Sequence, residues 1–229
     1  MKICGLQKLT LLDYPGSIAC TVFLGGCNFK CPYCYNSSLI TANDVEPLMS
    51  EDDLLSFLDS RKGKLKGVAI TGGEPLINKD IKQLIIKIKE KGFKVKLDTN
   101  GSFPEVLKEL IDEKLVDYVA MDIKNTYEKY EFTTGVHVNI EKIKKSVAIL
   151  LENKVDYEFR TTVIKEFHQV EDFKNIGTII KGAKNYFIQC FQDKESVQGS
   201  FNPLTKQELL ECLNNVKPFV ANASLRGID

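Results

Sequence analysis

Short apolar runs alternate along the chain with longer runs in which apolar positions recur three and four apart. The short runs lie at 18–24, 67–71, 94–99, 118–123, 157–164 and 186–190, and their length and β-branched content predict strands. The longer runs lie at 50–61, 79–91, 103–113, 139–153, 170–181 and 205–217 and predict helices. Within 79–91, Ile81, Leu84, Ile85 and Ile88 mark one buried helix face. Ser50 with Asp53, and Thr205 with Glu208, have the spacing of helix-start capping pairs. Strand then helix, about six times over, predicts an α/β fold of parallel strands joined by right-handed crossovers. Six units are too few for a closed eight-stranded barrel. A curved, partly open barrel and a doubly wound sheet both fit, with residues 2–12 as an extra N-terminal strand or hairpin.

The 229 residues contain no low-complexity segment, no Pro/Gly-rich linker and no solenoid repeat, so residues 1–229 are expected to form one domain. Lys plus Arg equals Asp plus Glu, at 31 each. That balance argues against a nucleic-acid partner, whose electrostatic footprint is basic. The Lys-rich run at 80–94 is interrupted by Ile and Leu at helical spacing and reads as a solvated helix face. No stretch approaches the roughly 20 apolar residues of a membrane span, and the N-terminus lacks the order of a signal peptide. The expected location is therefore the cytoplasm, with no membrane association. A reducing compartment disfavours disulfides among the seven Cys and gives weight to metal or redox roles.

In either candidate architecture, ligands sit at the C-terminal ends of the parallel strands. The first run ends at Gly25-Gly26-Cys27 and the second at Thr71-Gly72-Gly73-Glu74-Pro75. The third ends at Asp98-Thr99-Asn100-Gly101 and the fourth at Asp122-Ile123-Lys124. The fifth passes through Arg160, and the sixth ends near residues 189–192. Polar and Gly-rich residues thus gather where a site would be. Gly72 and Gly73 let backbone approach a ligand closely. Glu74 offers an acceptor for an ammonium group. Asp98, Thr99 and Asn100 offer short polar groups suited to ribose hydroxyls. Asp122 and Lys124, two apart, share a strand face, and Arg160 is placed to meet a carboxylate or to pair with Asp122.

The densest signal is Cys27-Asn28-Phe29-Lys30-Cys31-Pro32-Tyr33-Cys34, which puts three thiols in one short loop. Thiolates suit zinc, copper(I) and iron–sulfur clusters. A structural zinc site is closed and needs four ligands. No His or further Cys follows nearby, and Cys20 falls inside the first strand. Three thiolates instead suit a cubane cluster with one iron open to an outside ligand. Cys4, Cys20, Cys190 and Cys212 are isolated and read as packing residues. His137 and His168 are the only two histidines, and His168, although it follows the fifth strand closely, is expected at the surface.

The Cys-x3-Cys-x2-Cys loop, with Tyr33 before its last Cys, resembles the signature of the radical S-adenosylmethionine superfamily. Gly72-Gly73-Glu74-Pro75 resembles that superfamily's second motif. The resemblance implies a partial, open (β/α)6 TIM-like barrel. It also implies one 4Fe-4S cluster on Cys27, Cys31 and Cys34, with S-adenosylmethionine chelating the open iron. In that superfamily one electron cleaves the cofactor to methionine and a 5′-deoxyadenosyl radical. Tyr33, Gly72, Gly73, Glu74, Asp98, Thr99, Asn100, Asp122, Lys124 and Arg160 are then the expected cofactor-binding residues.

The likeness runs over nearly the whole chain. Residues 5–16, the Cys loop, residues 98–101, and Asp122 with Lys124 are similar to the activating enzymes of glycyl-radical enzymes. Within these, the likeness points to the activators of anaerobic ribonucleoside-triphosphate reductase, and residues 223–227 resemble their C-terminal tail. The implied partners are a glycyl-radical enzyme of that kind and a flavodoxin or ferredoxin as electron donor. Residues 9–16 and 224–229 are candidate docking segments. No Cys lies between Cys34 and Gly72, so the extra clusters of larger activating enzymes are not expected. The run Ile188-Gln189-Cys190-Phe191-Gln192 lacks the Pro and His found there in pyruvate formate-lyase activating enzymes, which leaves the adenine contact open. Two other readings remain: a small-molecule radical enzyme resembling 7-carboxy-7-deazaguanine synthase, and a non-enzymatic iron–sulfur or zinc module.

Overall fold

A computed structural model describes residues 1–41, 46–192, 197 and 199–228. Its centre is one eight-stranded sheet with the strands in chain order. They are β1 (Ile3–Thr10), β2 (Ala19–Leu24), β3 (Gly67–Gly72), β4 (Lys94–Thr99), β5 (Tyr118–Asp122), β6 (Asp156–Val163), β7 (Asn185–Cys190) and β8 (Asn222–Arg226). β1 pairs antiparallel with β2, and every later pair is parallel. The two edge strands do not meet, so the barrel is open, as expected of an α/β partial barrel.

The helices fall where the periodicity placed them. They are α1 (Glu51–Ser60), α2 (Ile81–Glu90), α3 (Pro104–Asp112), a short α4 (Tyr130–Thr134), α5 (Ile140–Leu151), α6 (Asp172–Ile179) and α7 (Lys206–Val216). Both expected capping boxes form, Ser50 with Asp53 and Thr205 with Glu208. The apolar stripe of α2 is buried at Ile81, Leu84, Ile85 and Ile88. Strands and inward helix faces share one apolar core. Among the described residues no helix is long and apolar enough to cross a membrane.

Two elements lie beyond the six expected units. α4 forms in the connection after β5, too short to give a periodic signal. β8 forms from residues that the sequence suggested as a free tail, and it continues the parallel sheet from β7. Its side chains are only partly buried, so no apolar alternation marks it. Arg226 anchors it through a forked ion pair with Glu158 of β6, at 2.6 and 2.8 Å. Residues 224–226 therefore belong to the edge strand of the barrel, and Asp229 lies outside the described residues.

The antiparallel β1–β2 turn lies at the N-terminal ends of the parallel strands. There Tyr14 tucks beneath the sheet against Tyr118, with ring centres 6.2 Å apart. Gly67 leaves the space for it, since a Cβ there would meet the Tyr14 ring at 2.7 Å. Leu9, Leu11 and Leu12 of this turn are exposed, but at the end of the barrel opposite the cysteines. Residues 9–16 consequently cannot present a partner's backbone to the cysteine loop.

Candidate active site

Every residue put forward from the sequence lines one cavity of about 390 Å³ at the C-terminal ends of the strands. Cys27, Cys31, Tyr33 and Cys34 enter it from the loop after β2. Gly72, Gly73 and Glu74 enter from β3, Asp98, Thr99 and Asn100 from β4, Asp122 and Lys124 from β5, and Arg160 from β6.

The cysteine loop is fixed by backbone bonds on both sides. Gly26 N–H donates to Leu39 O (2.7 Å) and Cys27 N–H to Ile40 O (3.1 Å). Glu74 N–H donates to Gly26 O (2.8 Å), and Asn36 Nδ2 donates to Gly72 O (2.9 Å). Gly73 is required for this approach: a Cβ there would collide with Gly26 O. Burial pushes the Cys27 thiol up to about 12 and the Cys31 thiol up to about 11, and it raises Cys34 as well. The thiols are thus protonated until a metal displaces the protons. Among the described residues, no three Cys, His, Asp or Glu side chains are already converged as a metal site. The donor set nevertheless fits a thiolate-ligated cluster with an open iron: three soft ligands in one loop, facing a cavity with room for a ligand.

Glu74 behaves differently from the expectation of a free acceptor. Its side chain is 1% exposed, and both oxygens are already engaged. Oε1 accepts from Leu76 N–H (3.1 Å) and Thr99 Oγ1 (2.8 Å), and Oε2 accepts from Asn100 N–H (2.6 Å). Burial outweighs these donors and pushes its carboxyl up to about 7. Thr99 and Asn100 likewise spend these groups on Glu74.

A row of charges crosses the cavity wall. Lys96 pairs with Asp98, and Arg160 Nη2 lies 3.1 Å from the other Asp98 oxygen. Arg160 Nε donates to Asp122 at 2.5 Å, and Lys124 Nζ donates to the second Asp122 oxygen at 2.8 Å. Burial works to raise Asp122, but Arg160 and then Lys124 outweigh it and hold the carboxyl far below its ordinary value. Asp98 is likewise lowered, with burial overcome by Arg160 and Lys96. Burial opposes the charge on Lys124, yet Asp122 overcomes it and holds the ammonium well above its ordinary value. Asp98 therefore serves this ion-pair row first. Of the cations in this row, Arg160 and Lys124 line the cavity, while Lys96 is buried behind Asp98.

Other residues of the site were not singled out in advance. Thr162 lies two beyond Arg160 on β6, so strand alternation was a usable signal for it. Tyr35 crosses to the end of β7, where its hydroxyl accepts from Gln192 N–H (2.8 Å) and its ring stacks on Phe191 at 5.8 Å. Cys190, expected to be a packing residue, lines the cavity from the end of β7, as do Gln189 and Gln192. Arg226 and Gly227 line it from β8, which alternation along the sequence did not reveal. His168, expected at the surface, is buried at 2% exposure. Its Nε2 is 2.8 Å from Lys124 O and its Nδ1 3.2 Å from Ile164 N. Burial lowers its pKa. The neutral Nε2–H tautomer satisfies both contacts, so His168 fixes the backbone of Lys124.

An open parallel barrel with three loop cysteines at its C-terminal mouth defines a class of cofactor-dependent radical enzymes. The family model for the Radical SAM superfamily matches residues 21–176, and the chain belongs to that superfamily. It is a radical S-adenosylmethionine oxidoreductase that uses a 4Fe-4S cluster and S-adenosylmethionine. A Methanocaldococcus jannaschii protein named as a glycyl-radical enzyme activating enzyme is 35% identical to it, over 99% of this chain and 96% of that protein. The 7-carboxy-7-deazaguanine synthase of the same organism is 28% identical, over 84% of this chain and 81% of its own. A radical SAM methyltransferase from Sphaerobacter thermophilus shares the fold, with a TM-score of 0.72 at 13% identity over 95% of this chain and 68% of that one.

Proposed function

We propose that the chain activates a glycyl-radical enzyme, and that its partner is an anaerobic ribonucleoside-triphosphate reductase. The observation that carries the first part is the end-to-end likeness to a relative named for that activity, at 35% identity. The second part rests on the resemblance of residues 5–16 and 223–227 to reductase activators.

When bound, the cluster and S-adenosylmethionine supply a carbon-centred radical able to take hydrogen from an unactivated C–H bond. The remaining work belongs to the chain. Cys27, Cys31 and Cys34 would hold the cluster and leave one iron free for the cofactor. Arg160 and Lys124, the two cations of the buried row that line the cavity, suit the methionine carboxylate. Glu74 serves mainly as an anchor: its carboxylate ties the ends of β3 and β4 together. Tyr35, backed by its stack on the buried Phe191, and Gln192 offer an aromatic and polar wall for adenosine. A flavodoxin or ferredoxin delivers the electron.

The test uses the reduced, cluster-loaded protein with S-adenosylmethionine and the purified reductase. A doublet radical signal on a partner glycine, with one 5′-deoxyadenosine per radical, is expected. Deoxyadenosine formed with no partner radical defeats the activase reading. Formation of 7-carboxy-7-deazaguanine by the same preparation would favour the deazaguanine synthase reading, for which the 28% relative is the supporting observation.

A further inference from the structure

Of the three residues between Cys27 and Cys31, Phe29 and Lys30 are tied to α4 and Asn28 to the segment after β4. Phe29 is 3% exposed and packs edge-on against Tyr130 of α4, with ring centres 6.5 Å apart. Lys30 N–H donates to Thr134 O at 2.9 Å. Gly135, at the end of α4, leaves room for Lys30 O, since a Cβ there would sit 2.7 Å from that oxygen. Asn28 is the polar member. Its Nδ2 donates to Ser102 Oγ (2.9 Å), and its Oδ1 accepts from Asn100 Nδ2 (3.0 Å).

The groups that Asn28 meets are themselves closed into a ring. Asn100 Oδ1 accepts from Ser102 N–H (3.0 Å) and from Ser102 Oγ (2.5 Å). Asn100 N–H donates to Glu74 Oε2 (2.6 Å), and Gly101 O accepts from Ser146 Oγ of α5 (2.7 Å). Asn100 and Ser102 are buried, at 6% and 7% exposure. A rigid acceptor–donor pair is therefore presented to the cysteine loop, and Asn28 is the one loop side chain that answers it in both senses. An amide supplies one donor and one acceptor in fixed geometry, which neither a hydroxyl nor an apolar group does.

We propose that Asn28 is a positioning residue for the cluster, holding the Cys27–Cys31 segment on the Asn100–Ser102 ring and, through Asn100, on the buried carboxylate of Glu74. The β4 end, and Glu74 behind it, then act on the Cys27–Cys31 segment through this side chain, beside the direct Glu74 N–H to Gly26 O bond. The loop keeps its path while the thiols exchange protons for iron, and Cys27 and Cys31 stay at their places around the cluster. The proposal concerns the cluster and is independent of which partner is activated.

The test uses the full chain with its reconstituted cluster. The readouts are the rate of iron loss to an excess chelator and the electron paramagnetic resonance spectrum of the reduced cluster. Asn28→Ala is expected to load iron but lose it about tenfold faster and to broaden the spectrum, as expected for the loss of a paired buried hydrogen-bond site. Asn28→Asp is the rescuing variant. Its carboxylate accepts from Asn100 as the amide does, and the Ser102 hydroxyl can turn to donate to it, so iron loss should return to within about threefold of wild type. Ser102→Ala, away from the loop, should accelerate loss in the same direction and add nothing to Asn28→Ala in the double variant. Wild-type iron retention and spectrum in Asn28→Ala would overturn the proposal. So would a melting temperature of the cluster-free Asn28→Ala chain lowered as far as that of the loaded one, because Asn28 would then serve the fold at large rather than the cluster.

Discussion

Glu74 has both carboxylate oxygens committed inside the protein while burial holds its carboxyl near 7. A carboxyl raised above its unfolded value binds its proton more tightly in the folded chain. Its contribution to stability therefore falls as pH rises from about 4.5 to about 7. Denaturation of the cluster-free chain should show wild type losing stability relative to Glu74→Gln across that window. A pH-independent difference would contradict the burial argument. Glu74→Ala strands the donors of Leu76, Thr99 and Asn100, and should cost roughly 2–4 kcal/mol by the same measurement. The sequence made Glu74 legible as a site residue from its place after a strand and two glycines. Its function as an anchor was not legible, because the donors come from β4, 25 and 26 residues away. The same limit applied to His168: two residues that meet through a backbone carbonyl leave no trace in spacing.

Gly135 ends α4 in the left-handed conformation, with φ of +69°, against the carbonyl of Lys30. Gly135→Ala adds a left-handed penalty of about 1–2 kcal/mol and a steric clash with the cysteine loop. Both a lowered melting temperature and weaker iron retention are expected, and a change in neither would show that α4 does not brace the loop. β8 depends on Arg226 in a comparable way. Glu158 is 1% exposed and keeps only Tyr118 as a side-chain donor when Arg226 is removed. Arg226→Ala should destabilise the chain by roughly 3 kcal/mol, the low end for a broken buried pair because Arg226 itself reaches solvent. Guanidinium denaturation checks this, and a loss below about 1 kcal/mol would make the pair a surface one. Six strands and six helices were readable because apolar periodicity recurs in each. α4 is too short to carry a period, and β8 is a partly exposed edge whose anchor is a salt bridge rather than an apolar face.

Across the whole molecule, parallel topology turns scattered motifs into one site. Residues from Cys27 to Gly227 reach the same cavity because they lie in the C-terminal halves of the parallel strands or in the segments that follow them. This is why the cysteine loop, the Gly-Gly-Glu segment and the charged positions could be collected before any contact was known. The opposite end of the barrel holds Tyr14 and the exposed leucines of the β1–β2 turn, separated from the chemistry by the length of the strands. Under the proposed activase function, a partner glycine has to approach from the cysteine side.

The central claim is that Cys27, Cys31 and Cys34 hold a cluster with one open iron that the cofactor fills. Anaerobic reconstitution followed by electron paramagnetic resonance of the reduced protein, with and without S-adenosylmethionine, tests it most directly. A 4Fe-4S signal that changes on adding S-adenosylmethionine, and that is lost in Cys27→Ala, Cys31→Ala and Cys34→Ala alike, is the result predicted. A colourless protein holding zinc, or a cluster signal indifferent to S-adenosylmethionine, would contradict it.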